Sequence, residues 1–233
     1  MSTTTNDVQA DACARLLSLA VHELRTPASV VGGYLRMLQR EADPGMTERQ
    51  RKMIDEAAKS CARLVAIIGE MSEVSKLDAG LLTLGRERID LFPLVQEVAE
   101  GVHEAEDREV RLQVRGEGSG ALMLGDTVRL RTALDAIFRA ILREQPTACT
   151  VVAERRLERR AGQPASAVLV VAPDTRVAEA YGQERAAFDE KRGGLGLALP
   201  IARRIIEHHG GRVWAPAQAL ERGSAIVSLP LAE

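Results

Sequence analysis

Two heptad patterns near the start of the chain restrict its fold more than any other feature. Apolar residues recur at alternating spacings of four and three over residues 17–38, and again over 54–75. Such spacing is typical of helices in bundles and coiled coils. The intervening stretch 42–48, "ADPGMTE", contains the helix breakers Pro and Gly and offers Thr47 as an N-cap. The pattern therefore predicts an antiparallel helical hairpin. We call the heptad residues of each helix its seam. The seam of the first helix consists of Leu17, Val21, Leu24, Ala28, Val31, Leu35 and Leu38, and that of the second consists of Ile54, Ala57, Cys61, Leu64, Ile68, Met71 and Ser75.

A single hairpin has only one partner helix for each arm. Strict seams on both arms favour the pairing of two hairpins into a four-helix bundle, which makes the protein a homodimer. The alternative is a hairpin that packs on the rest of its own chain.

The remainder of the chain predicts a different architecture. The second helix ends at Ala79-Gly80, and residues 89–233 then mix helical stretches with alternating, strand-like runs. We therefore expect an α+β fold, with a hairpin over 7–80 and an α/β-sandwich domain over 89–233, its helices layered on one face of a mixed sheet.

Composition excludes several classes of function. The formal net charge is −2 and the sequence pI is about 6.2, so nothing favours binding to nucleic acid or to an anionic membrane. No apolar run approaches the ~18 residues of a membrane span, and the first residues lack the basic segment of a secretory signal. Three widely spaced cysteines, Cys13, Cys61 and Cys149, are typical of reduced thiols. We expect a cytoplasmic protein.

The stretch "HELRTP" (22–27) carries the clearest chemistry. His22 follows the seam residue Val21 and so lies beside the apolar stripe, near the surface. Glu23 can hold one ring N–H of His22, and Thr26 lies one turn on, on the same face. Pro27 removes a backbone donor from the helix. An exposed histidine with these neighbours is suited to accept a phosphoryl group.

"HELRTP" on the first arm of a heptad hairpin closely resembles the phosphoacceptor box of dimerising sensor histidine kinases. The resemblance extends from about residue 10 to 230 and includes "RGGLGLALPIARRIIEHHGGRVW" (192–214), which is similar to the glycine box of the family's ATP-binding domain. It implies that His22 is phosphorylated, that Glu23 assists phosphoryl transfer and that Thr26 takes part in dephosphorylating the partner. The implied partner is the receiver domain of a response regulator, and the implied cofactors are ATP and Mg²⁺.

The same resemblance exposes departures at the nucleotide site. Family members carry two asparagines on one helix, the second of which holds magnesium, but Ala136 and Ala140 occupy these positions here. Alanine offers no ligand to a metal. Asp174 maps to the aspartate of the adenine pocket, while Arg176 and Ala178 replace the two glycines after it. These side chains would obstruct the close approach of a nucleotide.

The glycines of "GGLGLAL" (193–199) have two interpretations. Gly193, Gly194 and Gly196 precede a helix and could cradle phosphate, or they could form a tight loop that the fold needs in any case. The missing metal ligands favour the second. His208 and His209 stand at the end of that helix, where they complement its dipole more readily than they bind metal.

These features lead to one preferred function and two alternatives. The preferred one is a dimeric phosphotransfer protein of the histidine kinase class, with a degenerate ATP-binding domain, whose His22 exchanges phosphoryl with a response-regulator aspartate or removes it. The first alternative is a working ATP-dependent histidine kinase. The second is a non-catalytic scaffold that binds a kinase or a regulator.

Overall fold

A computed structural model gives the fold. It describes residues 3–40, 46–159, 164–217 and 222–232, and the side chains of 3–16 are not among the described features. The described chain divides into two compact units, Met1–Leu82 and Thr83–Glu233. Pro44 and Gly45 of the predicted turn lie outside the described residues, as does the side chain of Cys13.

The first unit is the predicted helical hairpin. Helix α1 (Thr3–Arg40) and helix α2 (Glu48–Asp78) are its two arms. Thr47 caps α2 in a reciprocal capping box with Gln50, which satisfies backbone donors that a helix start leaves free. The helix ends at Asp78 with Ala79 as its C-cap, and Gly80 follows with a left-handed φ of +64°, within a residue or two of the predicted end at Ala79-Gly80.

The second unit is the predicted α+β domain. Its strands are β1 (Glu87–Asp90), β2 (Val110–Gly116), β3 (Leu122–Gly125), β4 (Cys149–Glu158), β5 (Ser166–Pro173), β6 (Arg185–Ala187), β7 (Arg212–Pro216) and β8 (Ala225–Pro230). Six of them form a mixed sheet in the order β2-β4-β5-β8-β7-β6, in which β2 and β4 are parallel and the other pairs antiparallel. A separate antiparallel pair joins β1 and β3. The helices are α3 (Leu91–Glu100), α4 (Thr127–Arg143), α5 (Val177–Gly182) and α6 (Ala198–His208).

Three helices form one layer of this domain. Helix α4 packs between α3 and α6, and its apolar face is fully buried, including Leu134 and Phe138. Arg155 of β4 points into this layer, where it donates to the Phe92 carbonyl of α3 at 3.1 Å and lies over the Phe92 ring. This burial lowers the pKa of the Arg155 guanidinium.

Helix α5 covers the opposite face of the sheet, so the expectation that the helices lie on one face is wrong. Successive side chains of a strand point to opposite faces, so Val152 points away from Arg155 and its helices. Val152 shares a buried cluster with Val177 and Ala180 of α5. The Arg156 guanidinium stacks over the Tyr181 ring at 4.1 Å and further fixes the helix.

The structure differs from the sequence prediction mainly in short elements. Strand β3, helix α5 and strand β6 were not predicted, since each is too short to show a clear period. Within the described ranges, no helix has the length and apolarity needed to cross a bilayer.

Candidate functional site

The hairpin places His22 on an exposed surface next to a buried seam. Val21 is only 4% exposed, whereas the side chain of His22 is 79% exposed. One helical position therefore separates a residue that holds the two arms together from one that is open to a partner.

Glu23 lies beside the imidazole. Its Oε1 is 3.6 Å from His22 Nδ1, which is too long for a hydrogen bond but short enough for electrostatic attraction to a charged ring. The carboxylate lies on the Nδ1 side, so Nε2 is the nitrogen left for reaction with a partner.

Thr26 and Pro27 lie on the following turn. Thr26 is exposed, and α1 continues as one helix through Pro27. Pro27 has no N–H, so the Glu23 carbonyl has no helical donor from that position. On the buried side of this turn, the Cys61 thiol donates to the Ala28 carbonyl at 3.3 Å and links α2 to α1.

In the second unit, the two alanine positions of α4 are buried in an apolar setting. Ala136 is 6% exposed and Ala140 is fully buried. Neither can coordinate a cation, and no group of three or more His, Cys, Asp or Glu side chains suited to a metal occurs among the described residues.

The glycine segment packs directly against α4. A Cβ on Gly193 would lie 2.8 Å from both the Cα and the Cβ of Ala140, which is closer than carbon atoms can approach. Gly193, Gly194 and Gly196 all have left-handed φ angles, between +62° and +69°. A tight connection into α6 thus accounts for these glycines without a nucleotide.

The structure does not bring Asp174 together with these glycines. Asp174 begins a 3-10 turn that leads into α5, on the sheet face opposite to α4. Its carboxylate forms a bidentate ion pair with Arg115, at 2.5 and 3.0 Å. The described hydrogen bonds of the Asp174 carboxylate go to Arg115, and none joins it to the glycine segment. Since alanine stands at both positions expected to carry the asparagines, the described residues do not fit Mg²⁺-bound ATP.

A buried ion pair that the sequence did not predict lies beside the glycine segment. Arg192, just before the glycines, binds Glu144 at the end of α4 through Nε, at 2.9 and 3.0 Å, and through Nη2. Their side chains are 4% and 12% exposed. Glu144 also accepts the backbone N–H of Gly223 at 2.7 Å. The partners are 48 residues apart, so no local pattern could have paired them.

His209 connects α6 to the start of α4. Its Nδ1 lies 2.7 Å from the Ile205 carbonyl in the last turn of α6, in the role predicted for it. Its Nε2 accepts the backbone N–H of Asp126 at 2.9 Å, so the neutral ring carries its proton on Nδ1. Asp126 itself caps α4 by accepting the N–H of Arg129.

Comparisons with known proteins agree with this architecture. Residues 14–80 match the family described as His Kinase A (phospho-acceptor) domain. The sensor protein DivL of Caulobacter vibrioides is 30% identical over 197 residues, 82% of this chain and 25% of DivL. The sensor protein GacS of Pseudomonas syringae pv. syringae is 28% identical over 223 residues, 90% of this chain and 24% of GacS. The chain thus spans about a quarter of the length of these relatives.

Solved structures share the fold. ShkA, solved at full length in complex with AMPPNP, superposes with a TM-score of 0.66 at 24% identity, over 94% of this chain and 46% of that one. The histidine kinase AdeS of Acinetobacter baumannii has a TM-score of 0.52 at 18% identity, over 91% of this chain and 98% of that one. In both, the likeness covers the hairpin and the α/β domain.

Proposed function

Because this chain has the core of a sensor histidine kinase, a phosphoacceptor hairpin followed by an ATPase-type domain, we propose that it carries phosphoryl on His22 in two-component signalling. The phosphoryl group is exchanged with an aspartate in the receiver domain of a response regulator, or removed from it. The observation that carries the proposal is the contrast between the two units. His22, Glu23 and Thr26 are all exposed on the hairpin and open to a partner. The ATPase-type domain instead has Ala136 and Ala140 at the positions expected to carry the asparagines.

The geometry at His22 is suited to reversible transfer. The lone pair of Nε2 attacks the phosphorus of a phospho-aspartate. The P–N bond forms while the P–O bond to the aspartate breaks, and the carboxylate leaves with the electron pair. The ring then carries a positive charge with its proton on Nδ1, the nitrogen that lies 3.6 Å from Glu23 Oε1. A phosphoramidate and an acyl phosphate are both high-energy linkages, so the exchange runs near equilibrium without ATP.

Removal of the phosphoryl group uses the same surface. The Thr26 hydroxyl, one helical turn from His22, can orient a water that attacks the regulator's acyl phosphate. In this reaction the P–O bond to the aspartate is replaced by one to water, and inorganic phosphate leaves.

We further propose a homodimer, formed by the predicted four-helix bundle. Each seam consists of two rows of residues spaced seven apart, and the rows differ in burial. Val21 and Cys61 are buried, whereas Leu24 and Leu64, three residues later, are 48% and 57% exposed. A second hairpin would cover the exposed row of each arm. The exposed seam residues are Leu24, Val31, Leu38, Ala57 and Leu64.

The alternatives predict different results. The AMPPNP complex of ShkA favours an ATP-dependent kinase, which would label His22 from radioactive ATP and Mg²⁺. A scaffold would keep its cellular effect in a His22→Ala variant. The phosphotransfer proposal predicts no labelling from ATP and loss of the cellular effect.

The decisive experiment uses receiver domains from the same organism, charged with radiolabelled acetyl phosphate. We expect label to move to this chain and to disappear in His22→Gln. His103→Gln is the matched control, because His103 is also exposed, by 75%, and lies 3.0 Å from a carboxylate, that of Glu106. Equal loss in both variants, or no transfer from any receiver, would contradict the proposal.

A further inference from the structure

Asp126 joins three segments of the second unit that are far apart in the sequence. Its carboxylate accepts the backbone N–H of Gly85 at 3.0 Å, from the segment where the chain enters this unit. It also accepts the N–H of Arg129, in the first turn of α4, at 3.1 Å. The backbone N–H of Asp126 donates to Nε2 of His209, at the end of α6, at 2.9 Å. We call these three hydrogen bonds the Asp126 latch.

The bond to His209 requires a neutral imidazole. Nδ1 of His209 lies 2.7 Å from the Ile205 carbonyl, which can only accept a hydrogen bond, so Nδ1 carries a proton. Nε2 therefore has a free lone pair only while the ring is neutral. A proton on Nε2 would point at the N–H of Asp126, and two donors cannot bond to each other. Protonation of His209 therefore breaks this bond of the latch.

The ring has little room to avoid that conflict by moving. The backbone of Gly125 passes so close that a Cβ there would lie 2.9 Å from Cδ2 of His209. On α6, the Ile205 carbonyl holds the ring through Nδ1. His209 is nevertheless partly exposed, so a proton from solvent can reach it. The residue that must respond to the new charge is therefore Asp126.

The charges around the ring favour a new bond to the same residue. The hydrogen bond from Gly85 lowers the pKa of Asp126 most, and the charge of His209 lowers it further, so the carboxylate attracts the charged ring. Arg129 opposes this attraction in part, because its Nε lies 3.8 Å from the same carboxylate. The adjoining strands β3 and β8 contain no charged residue. Other charged side chains on adjoining elements are engaged or exposed: Glu87 of β1 accepts from Thr127, Glu207 of α6 pairs with Arg203, and His208 of α6 and Arg212 of β7 are exposed.

We propose that the Asp126 latch is a pH-sensitive switch. In its neutral state His209 accepts from the Asp126 N–H, and the Asp126 carboxylate holds Gly85. In its charged state Nε2 has taken one proton from solvent and donates it in a hydrogen bond to the carboxylate, which turns away from Gly85. Histidine is the side chain whose ordinary titration lies between pH 5 and pH 8. Mild acid therefore loosens the segment at which the chain enters the second unit. The switch goes beyond phosphotransfer at His22 and does not depend on it.

NMR titration of the isotopically labelled full chain from pH 8 to pH 5 tests the proposal. The ring nitrogens of His209 report its protonation, and the backbone amides of Gly85 and Asp126 report the state of the latch. We expect both amide signals to shift in step with the ionisation of His209. The Gly85 amide should lose about tenfold of its protection from hydrogen exchange, the loss expected for one hydrogen bond to a charged group. Asp126 itself stays ionised over this range, because its pKa lies below 3.8.

Two variants serve as controls. His209→Gln retains one acceptor and one donor but takes up no proton, so both amide signals should stay constant from pH 8 to pH 5. His208→Gln removes the adjacent, exposed histidine and should leave the titration of both amides as in the natural chain.

Three results would overturn the proposal, and each can be read from these spectra. The first is a His209 ring that stays neutral down to pH 5. The second is an ionisation of His209 that the amides of Gly85 and Asp126 do not follow. The third is a His209→Gln variant whose amides titrate as in the natural chain.

Discussion

The buried pair between Arg192 and Glu144 gives the most quantitative prediction. Glu144→Ala leaves the Arg192 guanidinium, whose side chain is 4% exposed, without its carboxylate. Removing one partner of a buried ion pair typically costs about 3–5 kcal/mol, because the remaining charge is neither solvated nor paired. Gly223 N–H also loses its acceptor. Glu144 is 12% exposed and retains some water, so we expect about 3 kcal/mol, near the lower limit.

Urea unfolding followed by tryptophan fluorescence measures this cost. Trp214 is the only tryptophan of the chain and lies on β7, so its signal reports on the second unit alone. A loss of 3 kcal/mol corresponds to a fall in Tm of roughly 6–12 °C for a domain of this size.

A double substitution distinguishes the effect of an unpaired charge from the effect of lost side-chain volume. In Arg192→Met combined with Glu144→Leu, no charge is left buried, so we expect a stability within about 1 kcal/mol of the natural chain. A Glu144→Ala variant that loses less than about 1 kcal/mol of unfolding free energy would contradict this cost of an unpaired buried charge. A double variant that is less stable than Glu144→Ala would contradict it as well.

Three further predictions concern other parts of the chain. Gly193→Ala should lower the free energy of unfolding by about 2–4 kcal/mol in the absence of any nucleotide, because of the left-handed φ of Gly193 and its contact with Ala140. An unchanged midpoint of urea unfolding would contradict this packing. The pKa of Asp126 is lowered, chiefly by the hydrogen bond that its carboxylate accepts from Gly85 N–H. The contribution of Asp126 to folding stability is therefore fully present above its unfolded pKa near 3.8, and it is lost as pH falls through the lower folded pKa. Asp126→Asn should therefore lose less stability than the natural chain between pH 5 and pH 2, and parallel pH profiles would count against this linkage. The double variant Leu24→Glu with Val31→Glu should shift the chain from dimer to monomer, as measured by light scattering. The control Val128→Glu, at an apolar position of the second unit that is 73% exposed, should leave the dimer intact. If both variants remain dimeric, the seam is not the interface.

Long elements could be predicted from the sequence because each carries its own signal. The heptads and Thr47 define both arms of the hairpin, and the exposure of His22 follows from its position next to Val21. These features depend on residues only a few positions apart, so they can be predicted from the periodic pattern of apolar residues.

The remaining features depend on contacts between distant residues. Helix α5 has six residues, and its place is set by contacts such as that of Tyr181 with Arg156 of β4. The Arg192–Glu144 pair joins residues 48 positions apart, and the Asp174–Arg115 pair joins residues 59 apart. Only the folded sheet brings these partners together, so the shape of the candidate nucleotide region could not be read from "GGLGLAL" alone.

The central claim is that His22 exchanges phosphoryl with a receiver domain and does not take it from ATP. The most direct measurement compares labelling of the full chain by radioactive ATP with Mg²⁺ and by receiver domains charged from radioactive acetyl phosphate. We predict labelling by a charged receiver only, with the label lost in His22→Gln and retained in His103→Gln. Labelling of His22 by ATP in the absence of any receiver would contradict the claim.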